Sequence, residues 1–287
     1  MNEHSAPGPV LAWCVLRGRL GNNLFQYAAA RALCPRAGVV LDYSRTGVAL
    51  TMAKISGGAF ARLRLPGLIL PPLLNRLVHR IIGKALFEAG WIRRTGDADW
   101  PPRPARAMVL LDGYFQDAGI VSLAGRDFRG LVLNRLARAA GRPAEPRDAV
   151  AVHIRRGDFL DDPGRAVCDE AWFRRAIGVV RKLAPGLETV IFSDDPAWCR
   201  ERFAGDGVRF AEGAEAGDPV AALFAMSMCR HQILSNSTFS WWAGWLNPSP
   251  EKIVIGPERW STDNLIDPAR LRFPGYRTLA EAARERL

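Results

Sequence analysis

The residues best suited to chemistry stand together at His153-Ile154-Arg155-Arg156-Gly157-Asp158. The preceding Ala149 to His153 run is apolar and reads as a strand. On a strand His153 and Arg155 share one face, while Ile154 and Arg156 share the other. Two adjacent arginines at a strand end, followed by glycine, are costly to bury and suit a phosphate or pyrophosphate. A guanidinium meets such oxygens with a two-pronged, permanently charged fork. The same residues also read as a surface ion-pair cluster with Asp158, Asp161 and Asp162.

Three more segments fall at strand ends, where open α/β sheets bind ligands. Arg17 to Asn23 (RGRLGNN) places Gly18 and Gly21 in a turn before a helix, whose first N–H groups can face an anion or sugar. Taken alone, the segment reads better as a plain strand-to-helix turn. Phe192-Ser193-Asp194-Asp195 offers carboxylates that could accept the N1–H and N2–H₂ edge of guanine, or else cap the helix from Pro196. Ser235 to Trp245 (SNSTFSWWAGW) puts hydroxyls at a helix start, a setting for phosphate. Its Trp241, Trp242 and Trp245 fit core packing better than sugar stacking. A single D-x-D, Asp97-Ala98-Asp99, lies in a Pro- and Arg-rich stretch with no apolar strand read before it, a poor metal site.

The elements that carry these segments alternate. Strands are expected at Leu11–Leu16, Val39–Tyr43, Met108–Tyr114, Ala149–Arg155, Thr189–Phe192, Gln232–Leu234 and Ile253–Ile255. Helices are expected at about Asn23–Leu33, then Leu73–Leu86, Glu170–Leu183, Pro196–Phe203, Pro219–Cys229 and Thr238–Leu246. Such alternation means parallel sheets. The stretch 141–148 (GRPAEPRD) reads as a linker between an α/β lobe over 1–140 and another over 146–287. At 287 residues, 48% apolar and 24% charged, the chain can bury a full core without staples. Five scattered cysteines with no C-x-x-C pair suit reduced thiols and a cytoplasmic protein.

The charge is lopsided. Residues 1–145 hold 20 Lys and Arg against 9 Asp and Glu, and 146–287 hold 19 against 20. The basic excess of the first half points to an anionic partner, or to a surface kept soluble by charge. Nucleic acid is not favoured, because the tryptophans cluster in the other half. Arg76, Arg80 and Lys84 recur beside apolar pairs, so 73–86 is a basic amphipathic helix that could touch the inner face of a membrane. The alternative is a packed helix with a solvated basic face.

Taken together, Gly18-Arg19-Leu20-Gly21-Asn22-Asn23-Leu24-Phe25-Gln26-Tyr27-Ala28, Leu111 to Gln116, His153 to Asp158, Phe192 to Asp195 and Ser235 to Trp242 resemble, in order and spacing, the bacterial α-1,2-fucosyltransferase family. The resemblance implies a GT-B architecture, two Rossmann-like lobes facing a central cleft, with GDP on the C-terminal lobe. It implies transfer from GDP-fucose to a glycan, with inversion and with neither cofactor nor metal, in the making of a surface polysaccharide. By position, Arg155 would hold the pyrophosphate with His153 beside it. Ser237, Thr238 and Ser240 would line phosphate or fucose, and Asp194 or Asp195 would read the base. Asn22 and Gly21 would meet the donor from the other lobe, and Asp158 is the candidate general base. Arg19 stands where the family has glycine and Asn23 where it has glutamine, both expected to face the cleft. Another GDP-sugar donor, a metal-dependent transferase using Asp97 and Asp99, and a binding-only glycan protein are the competing readings.

Overall fold

The computed structural model describes residues 11–34, 38–42, 92–102, 108–125, 127–165, 167–263 and 266–284. The basic helix expected at 73–86 lies outside them. The chain forms two units, 1–128 and 129–287.

The first unit holds strands β1 (Leu11–Val15), β2 (Gly38–Asp42), β3 (Ile92–Thr95) and β4 (Met108–Leu111) with helices α1 (Leu20–Leu33) and α2 (Ala118–Leu123). Its sheet is parallel throughout, in the order β2-β1-β4-β3. Apolar β1 and β4 take the centre, each paired with a strand along both edges. Asp117 starts α2 by accepting the N–H groups of Gly119 and Ile120, at 2.7 and 3.2 Å.

The division falls inside helix α3 (Phe128–Ala140), whose first residue belongs to the first unit and the rest to the second. It therefore precedes the 141–148 stretch. Phe128 packs on Tyr27 of the first unit at 5.4 Å, whereas the Arg129 guanidinium lies 4.9 Å above the Trp245 ring of the second. Parallel strands β5 (Arg147–Ile154), β6 (Glu188–Ser193), β7 (Val208–Phe210), β8 (Cys229–Ile233), β9 (Val254–Gly256) and β10 (Tyr276–Thr278) run in the order β10-β9-β8-β5-β6-β7. Helices α4 (Glu170–Leu183), α5 (Pro196–Phe203), α6 (Ala214–Gly217), α7 (Pro219–Met228), α8 (Thr238–Leu246) and α9 (Leu279–Arg284) connect and close them.

The centre of this sheet is β5, and its period of two divides its neighbours. Val150, Val152 and Ile154 pack on Phe173, Ile177 and Val180 of α4 and on Cys199 and Phe203 of α5. His153 faces the other side, toward α8. Trp241 and Trp242 of α8 are fully buried and Trp245 nearly so, and Trp241 donates to the Leu271 carbonyl at 2.7 Å. The indoles are core, not a sugar platform, and truncating either of the first two costs about 3–5 kcal/mol. The α/β class and the two parallel-sheet units that a GT-B chain requires are both present.

Candidate functional site

Arg155 is the first residue past β5, and Asp194 the first past β6. The strands are parallel with Ile154 opposite Ser193, so the register brings the two side chains together. Arg155 Nη1 lies 2.7 Å from Asp194 Oδ2. On its other edge Nε and Nη2 both donate to Asp158 Oδ1, at 3.0 and 2.5 Å. The guanidinium is 17% exposed, locked between two carboxylates at the carboxyl end of the sheet. Gly157 makes this possible. A Cβ there would sit 2.5 Å from Asp194 Oδ2, so any side chain would displace the carboxylate.

Arg156 turns the other way, as strand alternation requires. Its Nε donates to Asp195 Oδ2 at 3.0 Å and its guanidinium lies 3.8 Å above the Trp198 ring. Asp195 also caps α5, accepting the Trp198 N–H at 3.2 Å. That backbone bond and Arg156 hold its carboxyl below the usual range. Both oxygens are engaged, so Asp195 takes the capping role that the sequence offered beside base reading. Asp194 is likewise occupied, by Arg155 and by the Arg156 N–H at 2.9 Å. Asp158 pairs with Arg155.

His153 is buried, with Nδ1 2.9 Å from Ser235 Oγ and its ring 5.5 Å from Phe239. Burial pushes its pKa down to about 4 against a small opposing pull from Asp194. It is therefore a neutral spacer under β5, not a second cation beside Arg155.

Ser235 to Thr238 forms the turn from β8 into α8. Ser237 accepts the Phe239 N–H at 3.3 Å and starts the helix. Ser237 and Thr238 are half-buried and can meet a ligand. Ser240 cannot: its hydroxyl is fully buried and donates to the carbonyls of Ser235 and Ser237, 3.1 and 3.0 Å away. Its expected place in donor binding is corrected to a brace for the turn. Asn236 ties the turn down by donating to the carbonyls of Arg165 and Trp260, both at 3.0 Å. Ser235 and Asn236, read from the sequence as a hydroxyl and an amide that could face phosphate, instead brace the site, and Trp198, which was not singled out, supports it through Arg156.

In the first unit α1 starts at Leu20, three residues earlier than expected, so Gly21 and Asn22 occupy its first turn. Gly18 takes φ +73 and presses against the Asn22 amide, a position closed to any side chain. Asn22 Oδ1 accepts from Gln116 Nε2 at 3.1 Å. Asn23 points inward instead of toward a ligand, donating to the Arg17 carbonyl at 2.8 Å and to Gln26 Oε1 at 3.2 Å. Gln26 in turn donates to the Gly113 carbonyl at 2.9 Å. The Asp97 stretch does follow a strand, β3, which sequence reading missed. Its carboxylate is committed to the backbone, accepting the N–H groups of Tyr114 (3.0 Å) and Phe115. Asp99 turns back toward the Gly96 N–H.

Comparison with known proteins places this arrangement. The profile of Glycosyl transferase family 11 matches residues 115–269, more than half the chain. The O-antigen biosynthesis glycosyltransferase WbnK of Escherichia coli is 31% identical over 125 residues, 42% of this chain and 41% of the relative. An α-1,2-colitosyltransferase of Escherichia coli is 33% identical over 122 residues, 39% and 41%. Galactoside α-(1,2)-fucosyltransferase 1 of Bos taurus is 27% identical over 247 residues, 80% and 64%. The chain thus spans less than two thirds of each of these relatives. The locked Arg155, the Ser235–Thr238 turn and the Gln116 end of the amide pair all fall within the matched region, and the chain belongs to glycosyl transferase family 11.

Proposed function

We propose that this protein transfers L-fucose from GDP-β-L-fucose to the 2-hydroxyl of a galactose-type acceptor, with inversion and without a required metal. The observation that carries the reading is Arg155, fixed at the carboxyl end of β5 with the first turn of α8 beside it. That pair of groups suits a leaving pyrophosphate. The names of the bovine and colitosyl relatives support the α-1,2 linkage.

In the reaction the acceptor oxygen bonds to the fucose anomeric carbon as its bond to the β-phosphate oxygen breaks. The electron pair leaves with GDP, and Arg155 meets the charge that develops there. Asp158, 46% exposed, is the partner that the phosphate can displace from Arg155. Once released, its carboxylate takes the acceptor proton. Asp194 stays in place and keeps the guanidinium aimed. Ser237 and Thr238 contact the phosphates.

A second reading is a related deoxy-sugar donor, favoured by the colitosyltransferase relative. GDP release measured with GDP-fucose, GDP-mannose and GDP-colitose, followed by linkage analysis, decides between them. Preferred use of GDP-fucose with an α-1,2 product supports the first reading. Preferred use of GDP-colitose supports the second. A different linkage, or release with none of them, refutes both.

Among the described residues no helix is long and apolar enough to cross a membrane. Contact of the basic 73–86 segment with an anionic bilayer remains a proposal, tested by flotation with anionic vesicles at low and moderate salt.

A further inference from the structure

The loop that follows β5 holds a second arginine–carboxylate pair that the transfer reaction leaves unused. Arg165 Nε donates to Asp162 Oδ2 at 2.9 Å, and Asp162 Oδ1 accepts the Gly164 N–H at 3.0 Å. A Cβ on Gly164 would come within 2.9 Å of that Oδ1, so the carboxylate fills space that a glycine leaves, as Asp194 does beside Gly157. The order arginine, two residues, carboxylate over 155–158 is mirrored as carboxylate, two residues, arginine over 162–165. Phe159 stands between the two pairs. Its ring centre lies 5.9 Å from the Arg155 guanidinium carbon and 5.5 Å from that of Arg165. Carboxylates take the edges of both guanidiniums, and one ring adds a cation–π contact to each.

The far end of this loop is tied to the rest of the sheet's carboxyl end. The Gly164 carbonyl accepts the Thr262 N–H at 2.8 Å, and the Arg165 carbonyl accepts from Asn236 Nδ2 at 3.0 Å. Asn236 immediately precedes Ser237, which caps α8. An unbroken chain of contacts therefore runs from Arg155 through the Phe159 ring and Arg165 to the turn that opens α8. We infer that Phe159 and Arg165 are positioning residues that hold Arg155 and the α8 turn in one arrangement. The inference rests on the reading of these two groups as the donor site. Phe159 and Arg165 are successive links of one chain, so losing the second link adds little once the first is gone. Two independent props would instead give losses that multiply.

The test is a double-mutant cycle of Phe159→Leu, Arg165→Met and the two combined, replacements that keep apolar bulk in the loop. Turnover at saturating donor, GDP affinity by calorimetry, melting temperature and backbone hydrogen exchange at 235–239 are measured for each. Each single variant should lose about fivefold in turnover, as one cation–π contact allows, and the double should stay within about twofold of the worse single. Phe159→Tyr keeps a ring and should restore nearly the parent rate. In both singles the amides at 235–239, which lie beyond Arg165, should exchange faster than in the parent. Multiplying losses, or a lower melting temperature with turnover and GDP affinity intact, overturns the inference. Unchanged exchange at 235–239 overturns it as well, and that readout needs no ligand. A parent chain that binds no GDP refutes the donor reading, while exchange still decides whether loop and turn are coupled.

Discussion

Asp194 and Arg155 are joined at 2.7 Å because parallel neighbours in register end level with each other. One of the two carboxylates expected to read a base is thus paired with the arginine. Asp194→Asn keeps the shape and removes the charge, so turnover should fall about tenfold or more while the melting temperature barely moves. Gly157→Ala should reproduce the defect, because its Cβ would occupy the space of Asp194 Oδ2. Normal turnover at saturating donor in both variants would show that Asp194 shapes the loop and nothing more.

His153 predicts a pH dependence of stability. Its folded pKa is near 4, below the unfolded value of about 6.5. Between these values the unfolded chain binds the extra proton, so this contribution is complete above pH 6.5 and is lost as pH falls toward 4. Denaturant midpoints of the parent and of His153→Gln at pH 7.5, 5.5 and 4.5 isolate it. The parent should lose more stability on acidification than the variant. His231, also shifted down by burial, titrates equally in both. Parallel losses would mean that His153 already takes its proton when folded.

The two serines of α8 should separate. Ser240→Ala removes a buried donor from two carbonyls that each keep a backbone N–H, and should cost about 0.5–1.5 kcal/mol of stability with donor affinity nearly kept. Ser237→Ala should weaken donor binding several-fold and also cost about 1 kcal/mol as a lost cap. Equal effects of the two on the donor KM would place Ser240 back at the ligand.

Treatment with EDTA should leave transfer within several-fold of its starting rate, since Arg155 and a helix start supply the positive potential. Complete loss, restored by Mn²⁺ or Mg²⁺, would require a metal-assisted route.

The helices with the plainest signals were legible before any coordinates. Asp169, Asp195 and Asp218 each cap the helix they precede, the last two with proline next, and α4 and α5 were read to the residue. The central strands were legible from their apolar runs. Three strands that were not read, β3, β7 and β10, are all edges of the described sheets. An edge is covered on one side only, so β3 tolerates Arg93 and Arg94 and looks like loop. At the site, alternation put Arg155 and Arg156 on different sides, and the structure gives them different carboxylate partners. The pairing of Asp194 with Arg155 was not readable, since it depends on the β5–β6 register and on space beside Gly157. Motif spacing carries neither.

The central claim is that Arg155 holds the leaving diphosphate, and one comparison tests it most directly. GDP affinity by calorimetry and transfer rate are measured for Arg155→Ala, Arg155→Lys and Arg156→Ala. Arg155→Ala should lose about 10²–10³ in rate and bind GDP more weakly, with lysine restoring a small part. Arg156→Ala should lose its Asp195 and Trp198 contacts and melt lower, with transfer largely kept. Near-normal turnover and GDP affinity in Arg155→Ala would contradict the account.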